Sequence, residues 1–143
     1  MEVALAAAEG ARDLDEVPIG AVVVSAEGEV LASAGNRTLA LHDPTAHAEM
    51  LAIRAACAKL GSERLTSCDL YVTLEPCAMC AAAISFARIR RLYFGAADPK
   101  GGAVEHGPRL FAQPTCHHAP EVIGGIGEAR ATALLKEFFA ARR

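Results

Sequence analysis

Residues 70–86 read LYVTLEPCAMCAAAISF, and this stretch predicts a strand that leads directly into a helix. Leu70–Leu74 is a short apolar run with β-branched and aromatic residues, which is typical of a buried strand. Pro76 suits the start of a helix because its ring fixes φ near the helical value. The alanine-rich segment that follows has high helix propensity, so we expect a helix from about Cys77 to Phe86.

Further strands are predicted on both sides of this unit. Residues 19–24 (IGAVVV) and 30–34 (VLASA) flank a polar connector that contains Gly28, so we expect an antiparallel hairpin. Residues 91–95 (RLYFG) predict another strand. Residues 98–120 contain several glycines and prolines, show no periodicity and are expected to form a loop.

Three other segments have helical patterns. Residues 2–12 are rich in alanine. Residues 46–60 place His47 in a first turn, repeat at helical spacing and end before Gly61, which can adopt the left-handed conformation that stops a helix. Residues 131–139 repeat apolar side chains at helical spacing. The alternation of strands and helices after the hairpin predicts an α/β protein whose sheet carries helices on both faces.

The composition is that of an ordinary globular protein, with 52% apolar and 22% charged residues in 143. We expect one domain over residues 1–143, because a chain of this size buries enough surface to fold without disulfides. The five cysteines, two of them three positions apart, favour a reducing compartment, and we expect a cytoplasmic protein. The apolar runs are far shorter than a membrane span, so no membrane role is expected.

The net charge of −3 argues weakly against a polyanionic partner. Its distribution is uneven, since residues 1–30 carry a balance of −6 and residues 31–143 a balance of +3. Several basic side chains in the second segment are candidates for phosphate contacts: Arg88, Arg90, Arg91, Lys100, Arg109, Arg142 and Arg143.

One imidazole and two thiols at the starts of two predicted helices form a candidate metal site. His47, Cys77 and Cys80 are ligand types that Zn²⁺ prefers, and three protein ligands leave one tetrahedral position open. An open position is typical of a catalytic zinc site, in which a bound water is activated. Glu49 lies two residues beyond His47, so we expect it to carry protons without binding the metal.

Two other interpretations of the cysteine pair remain open at this point. A C-x-x-C pair in a small α/β protein could be a redox centre, although this leaves His47 and Glu49 unexplained. A closed structural zinc site could instead be completed by a fourth ligand from a later segment, although such sites usually pair two C-x-x-C or C-x-x-H units. The candidates for that ligand are His106, Cys116, His117 and His118.

The H-x-E and P-C-x-x-C patterns together are the signature of zinc deaminases. Over nearly its whole length the sequence resembles the bacterial tRNA-specific adenosine deaminases of the cytidine deaminase-like superfamily. The matching stretches are Glu16–Val22, Asn36, Asp43–Glu49, Thr73–Cys80, Gly95–Asp98 and Phe138–Phe139. This resemblance implies a three-layer α/β/α sandwich with a mixed sheet, one zinc per chain, a homodimer, and conversion of adenosine to inosine at the wobble position of a tRNA anticodon.

The resemblance also implies substrate contacts. Asn36 would hydrogen-bond the flipped-out base or its sugar, Leu74 would line the base pocket, and Asp98 would meet the adjacent nucleotide. The chain departs from the family where a Gly-Ala-x-Gly-Ser loop and an Asn-His pair are common. It has GGAVE at residues 101–105 and histidines at residues 117–118, so the RNA-facing loop could differ.

Three functions follow from these patterns. The first is hydrolytic deamination of adenosine within a tRNA anticodon stem-loop. The second is deamination of a free base or nucleoside such as cytosine, guanine or cytidine, which the net acidity favours slightly. The third is a zinc-stabilised binding module without activity, which Glu49 argues against.

Overall fold

The computed structural model describes residues 1–142 of the chain as a five-stranded sheet with α-helices on both faces. The strands are β1 (Gly20–Val24), β2 (Val30–Gly35), β3 (Asp69–Leu74), β4 (Arg91–Ala96) and β5 (Glu121–Ile123). The α-helices are α1 (Glu2–Asp13), α2 (Ala48–Leu60), α3 (Ala78–Ala87) and α4 (Glu128–Ala140). A short 3₁₀ helix covers Leu110–Ala112.

The strands lie in the order β2-β1-β3-β4-β5. β1 pairs antiparallel with both β2 and β3, whereas β3, β4 and β5 are parallel. The sheet is therefore mixed. Parallel neighbouring strands need a crossover connection, and α3 connects β3 to β4. The N-terminus of α3 therefore lies at the edge of the sheet where β3 ends.

Helices α2 and α3 cover one face of the sheet, and α1 and α4 cover the other. The larger core lies under α2 and α3 and includes Leu70, Ile84 and Phe94, all at most 1% exposed. Helix α1 approaches the hairpin so closely that a Cβ at Gly35 would lie 2.7 Å from the carbonyl oxygen of Ala7. This packing requires glycine at that position.

The predicted three-layer α/β/α architecture is confirmed, and so are the predicted strands and helices. Gly28 has φ +85° in the hairpin turn, and Gly61 ends α2 in the left-handed conformation. His47 is the N-cap residue of α2 and not part of its first turn. The short β5 was not predicted, because three residues give too little pattern and its place is set by pairing with β4. No helix within residues 1–142 has the length and hydropathy needed to span a membrane.

Candidate active site

The three predicted ligands meet where the N-termini of α2 and α3 lie side by side. His47 and Cys77 are the N-cap residues of α2 and α3, with extended backbones (ψ 153° and 175°). Cys80 lies in the first turn of α3 and is fully buried. Cys77 lies between the end of β3 and the start of α3. The strand and helix predicted from residues 70–86 therefore place two of the three ligands, Cys77 and Cys80.

The ligand atoms are spaced as a tetrahedral zinc site requires. The Nδ1 atom of His47 lies 3.7 Å from Cys77 Sγ and 3.6 Å from Cys80 Sγ. With zinc bonds of about 2.3 Å to sulfur and about 2.0–2.1 Å to nitrogen, tetrahedral geometry separates the nitrogen and sulfur ligands by about 3.6 Å. All three ligand atoms lie within 4.8 Å of one another. The group is therefore placed to hold a metal ion, and its donors suit zinc.

The two thiols are strongly coupled. The pKa of Cys77 is lowered to about 5, first because the Cys80 thiol donates a hydrogen bond to it and then because the backbone N–H groups at the start of α3 help to offset its burial. The same hydrogen bond, together with burial, raises the pKa of Cys80. Cys77 is therefore poised as a thiolate, the form in which a cysteine binds metal.

Glu49 lies in the first turn of α2 and is only 4% exposed. Burial is the main cause of its raised pKa, and a hydrogen bond from the backbone N–H of Glu49 itself is the largest effect that opposes this shift. The carboxyl group shares a cavity with His47 and Cys77. It therefore lies beside the candidate metal centre, and its role as a proton carrier remains a prediction.

The cavity beside the ligands has a volume of about 190 Å³. Leu74 and Asp98, two of the residues expected at the substrate, lie on its wall. Asn36 is buried but does not line the cavity. Its backbone N–H donates to the carbonyl of Ile19, and Ile19 does line the cavity. Direct contact of Asn36 with substrate therefore remains a prediction.

The cavity wall also includes Glu75, which was not among the predicted site residues. Its side chain is fully buried and accepts hydrogen bonds from the loop that follows β4. Burial by itself would raise the pKa of Glu75, but these hydrogen bonds outweigh it and lower that pKa. The sequence signal that could have identified Glu75 is an acidic residue between a buried strand and Pro76, a position where a charge needs partners.

A second buried carboxylate holds the loop on the opposite side, which leads from β2 to α2. Glu16 is 1% exposed and accepts hydrogen bonds from the backbone N–H groups of Leu39 at 3.2 Å and Ala40 at 2.7 Å. This loop ends at His47, so Glu16 helps to fix the approach to the first ligand.

Three of the four residues that could have closed the metal site are engaged elsewhere. His106 Nδ1 bonds Glu75, and His118 Nε2 donates to the carbonyl of Ile89 at 2.7 Å. The Cys116 thiol donates to the carbonyl of His118 at 3.2 Å. Within residues 1–142 the metal-ligand group consists of the three predicted residues alone. All five cysteines are free, and the closed-site and redox interpretations gain no support.

Several of the candidate phosphate-binding arginines are occupied by carboxylates. Arg90 forms a two-pronged pair with Asp69 at 3.0 Å, and Arg91 pairs with Glu121 at 3.2 Å. Arg142 is similarly engaged, since its guanidinium bonds Asp15 at 2.9 Å and lies 3.4 Å from the centre of the Phe138 ring. Arg88 is the C-cap residue of α3. Arg143 lies outside the described residues.

Lys100 and Arg109 remain available. Both are exposed on the loop after β4, and neither forms an ion pair with any of the residues that the structure describes. Lys100 lies between Asp98 and Gly101, which both line the cavity. Positive charge is therefore available at the cavity rim despite the negative net charge.

The fold and the ligand group define a zinc-dependent deaminase class, and comparison with known proteins supplies the family. Residues 1–96 match the family described as the cytidine and deoxycytidylate deaminase zinc-binding region. The chain belongs to this family.

Relatives within the family point to a particular branch of it. The chain is 63% identical over 143 residues to the tRNA-specific adenosine deaminase of Agrobacterium fabrum, covering 100% of this chain and 93% of that protein. A similar solved structure comes from a study of A-to-I editing by tRNA:A34 deaminases at the wobble position of transfer RNA. It has a TM-score of 0.92 and 64% identity, and covers 94% of this chain and 97% of the other.

A more distant neighbour acts on a free base. The guanine deaminase of Nitrosomonas europaea superposes with a TM-score of 0.83 at 25% identity, covering 97% of this chain and 82% of that one. The fold therefore accommodates more than one kind of amine substrate.

Proposed function

We propose that this chain is a zinc-dependent hydrolytic deaminase that converts adenosine to inosine at the wobble position of a tRNA anticodon. The observation that carries the proposal is the meeting of His47, Cys77 and Cys80 beside the buried Glu49, at the wall of a cavity. The RNA substrate is supported by the 63% identity to a tRNA-specific adenosine deaminase along the whole chain.

The chemistry divides between the metal and Glu49. Zinc, when held by the three ligands, supplies a Lewis acid that lowers the pKa of a coordinated water to about 7. Glu49 accepts the proton that the attacking water loses as its oxygen bonds to C6 of adenine. Glu49 then delivers that proton so that the amine can leave C6 as ammonia. One water is consumed, and inosine and ammonia are formed.

Contact with the RNA is assigned to the cavity wall and its rim. Leu74 offers an apolar surface to the flipped-out base, and Asp98 lies where the adjacent nucleotide would pass. Asn36 donates its backbone N–H to Ile19, which also lines the cavity, and we assign it to the base or its sugar. Lys100 is exposed at the rim with its charge available for a phosphate. An anticodon loop suits this arrangement because its bases are already unpaired and cost less to turn out.

The proposal includes a homodimer and a single cytoplasmic domain over residues 1–143. The surface that supports dimerisation surrounds Phe86, which is 64% exposed on α3 and lies 6.1 Å from the ring of His117. A cavity of about 170 Å³ adjoins it, lined by residues of α3 and of the later loop. Phe86→Asp should shift the protein to a monomer in sedimentation, and an unchanged mass would place the interface elsewhere.

Deamination of a free base is the second candidate, favoured by the similarity to a guanine deaminase and by the net charge of −3. Competition separates the two. Purified zinc-loaded protein is given an anticodon stem-loop with adenosine at the wobble position, together with excess guanine, cytosine, cytidine or free adenosine. The proposal predicts inosine in the stem-loop and little inhibition by the small molecules. Turnover of guanine or cytosine with no inosine in the RNA would establish the second candidate.

A further inference from the structure

We propose that Glu75 is a positioning residue that holds the loop after β4 (residues 98–106) as one wall of the nucleotide cavity, and so determines how tightly substrate binds. This inference rests on the proposed function for the identity of the substrate. The loop contacts themselves are independent of it.

The contacts of Glu75 with this loop use both carboxylate oxygens. Oε1 accepts from the backbone N–H of Asp98 at 3.0 Å and bonds the Nδ1 atom of His106 at 2.8 Å. Oε2 accepts from three successive backbone N–H groups, those of Val104, Glu105 and His106, at 3.0–3.2 Å. A single side chain therefore ties the first residue of the loop to its last three.

These bonds are strong ones, because a charged acceptor is buried with neutral donors. The Glu75 side chain is 0% exposed, so water does not compete for these bonds while the loop is in place. A carboxylate buried in this way is costly unless its lone pairs are satisfied. The loop and the glutamate thus depend on each other.

The loop fits the carboxylate from its own side as well. A Cβ added at Gly102 would lie 2.5 Å from Cδ and Oε2 of Glu75, and 2.5 Å from the carbonyl oxygen of Asp98. Only a residue without a side chain lets the loop pass this close. Gly102 therefore offers a second, independent way to disturb the same contact.

What the loop carries explains why its position matters for binding. Asp98 and Gly101 line the cavity, and Lys100 lies exposed between them. The metal ligands, by contrast, belong to α2 and α3, which the loop does not form. Release of the loop should therefore weaken substrate binding and leave the metal in place.

Glu75→Gln is the main test, since the amide keeps the shape but presents N–H groups to N–H donors. The matched control is Asp69→Asn, which makes the same change in a buried carboxylate at the other end of β3, where the partner is Arg90. The measurements are zinc content, kcat and KM on the stem-loop, and hydrogen exchange of the backbone amides of residues 104–106.

Glu75→Gln should keep one zinc per chain, hold kcat within about threefold and raise KM about tenfold or more. Exchange at residues 104–106 should quicken by at least about tenfold. Asp69→Asn should change neither KM nor the exchange at residues 104–106. Gly102→Ala should raise KM in the same way. The rise in KM of the double variant should be smaller than the product of the two single-variant rises, because both substitutions disturb one contact.

Unchanged KM and unchanged exchange in folded Glu75→Gln would overturn the proposal, and so would loss of zinc from the folded variant. If Glu75→Gln does not fold, His106→Ala decides, since it removes one donor and leaves the four backbone bonds. That variant should raise KM about threefold, and wild-type KM would overturn the proposal. Failure of the wild-type protein to form inosine would refute the proposed function instead, while the exchange data would still report on the loop.

Discussion

Replacing Glu49 by glutamine should abolish turnover without loss of the metal. The cavity wall contains three carboxylates, Glu49, Glu75 and Asp98. Glu75 accepts five hydrogen bonds, and Asp98 Oδ1 accepts from the backbone N–H groups of Lys100 and Gly101 at 3.3 and 3.0 Å. Burial raises the pKa of Glu49, whereas hydrogen bonds lower the pKa of Glu75, and the Asp98 carboxylate is already held by backbone N–H groups of its own loop. Neither of the other two is therefore suited to take over the proton transfers of Glu49.

The expected loss is therefore the full contribution of a general acid-base group. Such groups contribute about 10²- to 10⁴-fold, and Glu49 is used in more than one transfer, so kcat should fall by about 10⁴-fold or more. This corresponds to about 5.5 kcal/mol of activation free energy. Single-turnover assays on the stem-loop would measure the loss, and metal analysis would confirm the zinc.

The exposed Glu105→Gln is the matched control and should retain wild-type kcat. If Glu49→Gln kept its zinc and more than about a tenth of the activity, Glu49 would have no place in the proton transfers, and the assignment of the cavity as the reaction site would lose its main support.

Three other outcomes follow from the structure. Cys80→Ala should lose zinc while Cys116→Ala keeps it, because Cys116 bonds a carbonyl outside the ligand group; full occupancy in Cys80→Ala, by metal analysis, would contradict the three-ligand site. Lys100→Ala should flatten the slope of log affinity against log salt by about 0.7 if it neutralises one phosphate, whereas Arg142→Ala should change it little because its charge is paired with Asp15; equal slopes for wild type and Lys100→Ala would remove that contact. Gly20→Ala should lower the free energy of unfolding by about 1–3 kcal/mol, because the new Cβ would press on the backbone of α1. A denaturant midpoint equal to that of the wild type would show that α1 can move to make room for the Cβ.

The metal centre could be predicted from the sequence because short local patterns mark its ligand types and their helix-start positions, although His47 lies 30 and 33 positions from the two cysteines. His47, Cys77 and Cys80 all lie at helix N-termini that short patterns mark: the repeat before Gly61 in one case, and the proline after a strand in the other. Once the two helices pack side by side, the ligands meet. The layered fold was predictable for a similar reason, because most of its elements show clear periodicity.

The features that escaped prediction depend on partners far away in the chain. Glu75 bonds groups 23 to 31 positions later, in a loop whose sequence shows no periodicity. From the sequence alone, Arg142 is a candidate for phosphate contacts. The fold pairs it instead with Asp15, 127 positions away. β5 exists because β4 offers an edge for it. No local pattern contains this information, since each depends on tertiary packing.

Product analysis of a tRNA anticodon stem-loop tests the central claim most directly. The RNA carries adenosine both at the wobble position and elsewhere in the loop, and is incubated with zinc-loaded protein in water enriched in ¹⁸O. The account predicts inosine at the wobble position alone, with one ¹⁸O atom at C6 and one ammonia released per inosine. Absence of inosine from the RNA, with deamination of a free base by the same preparation, would contradict it.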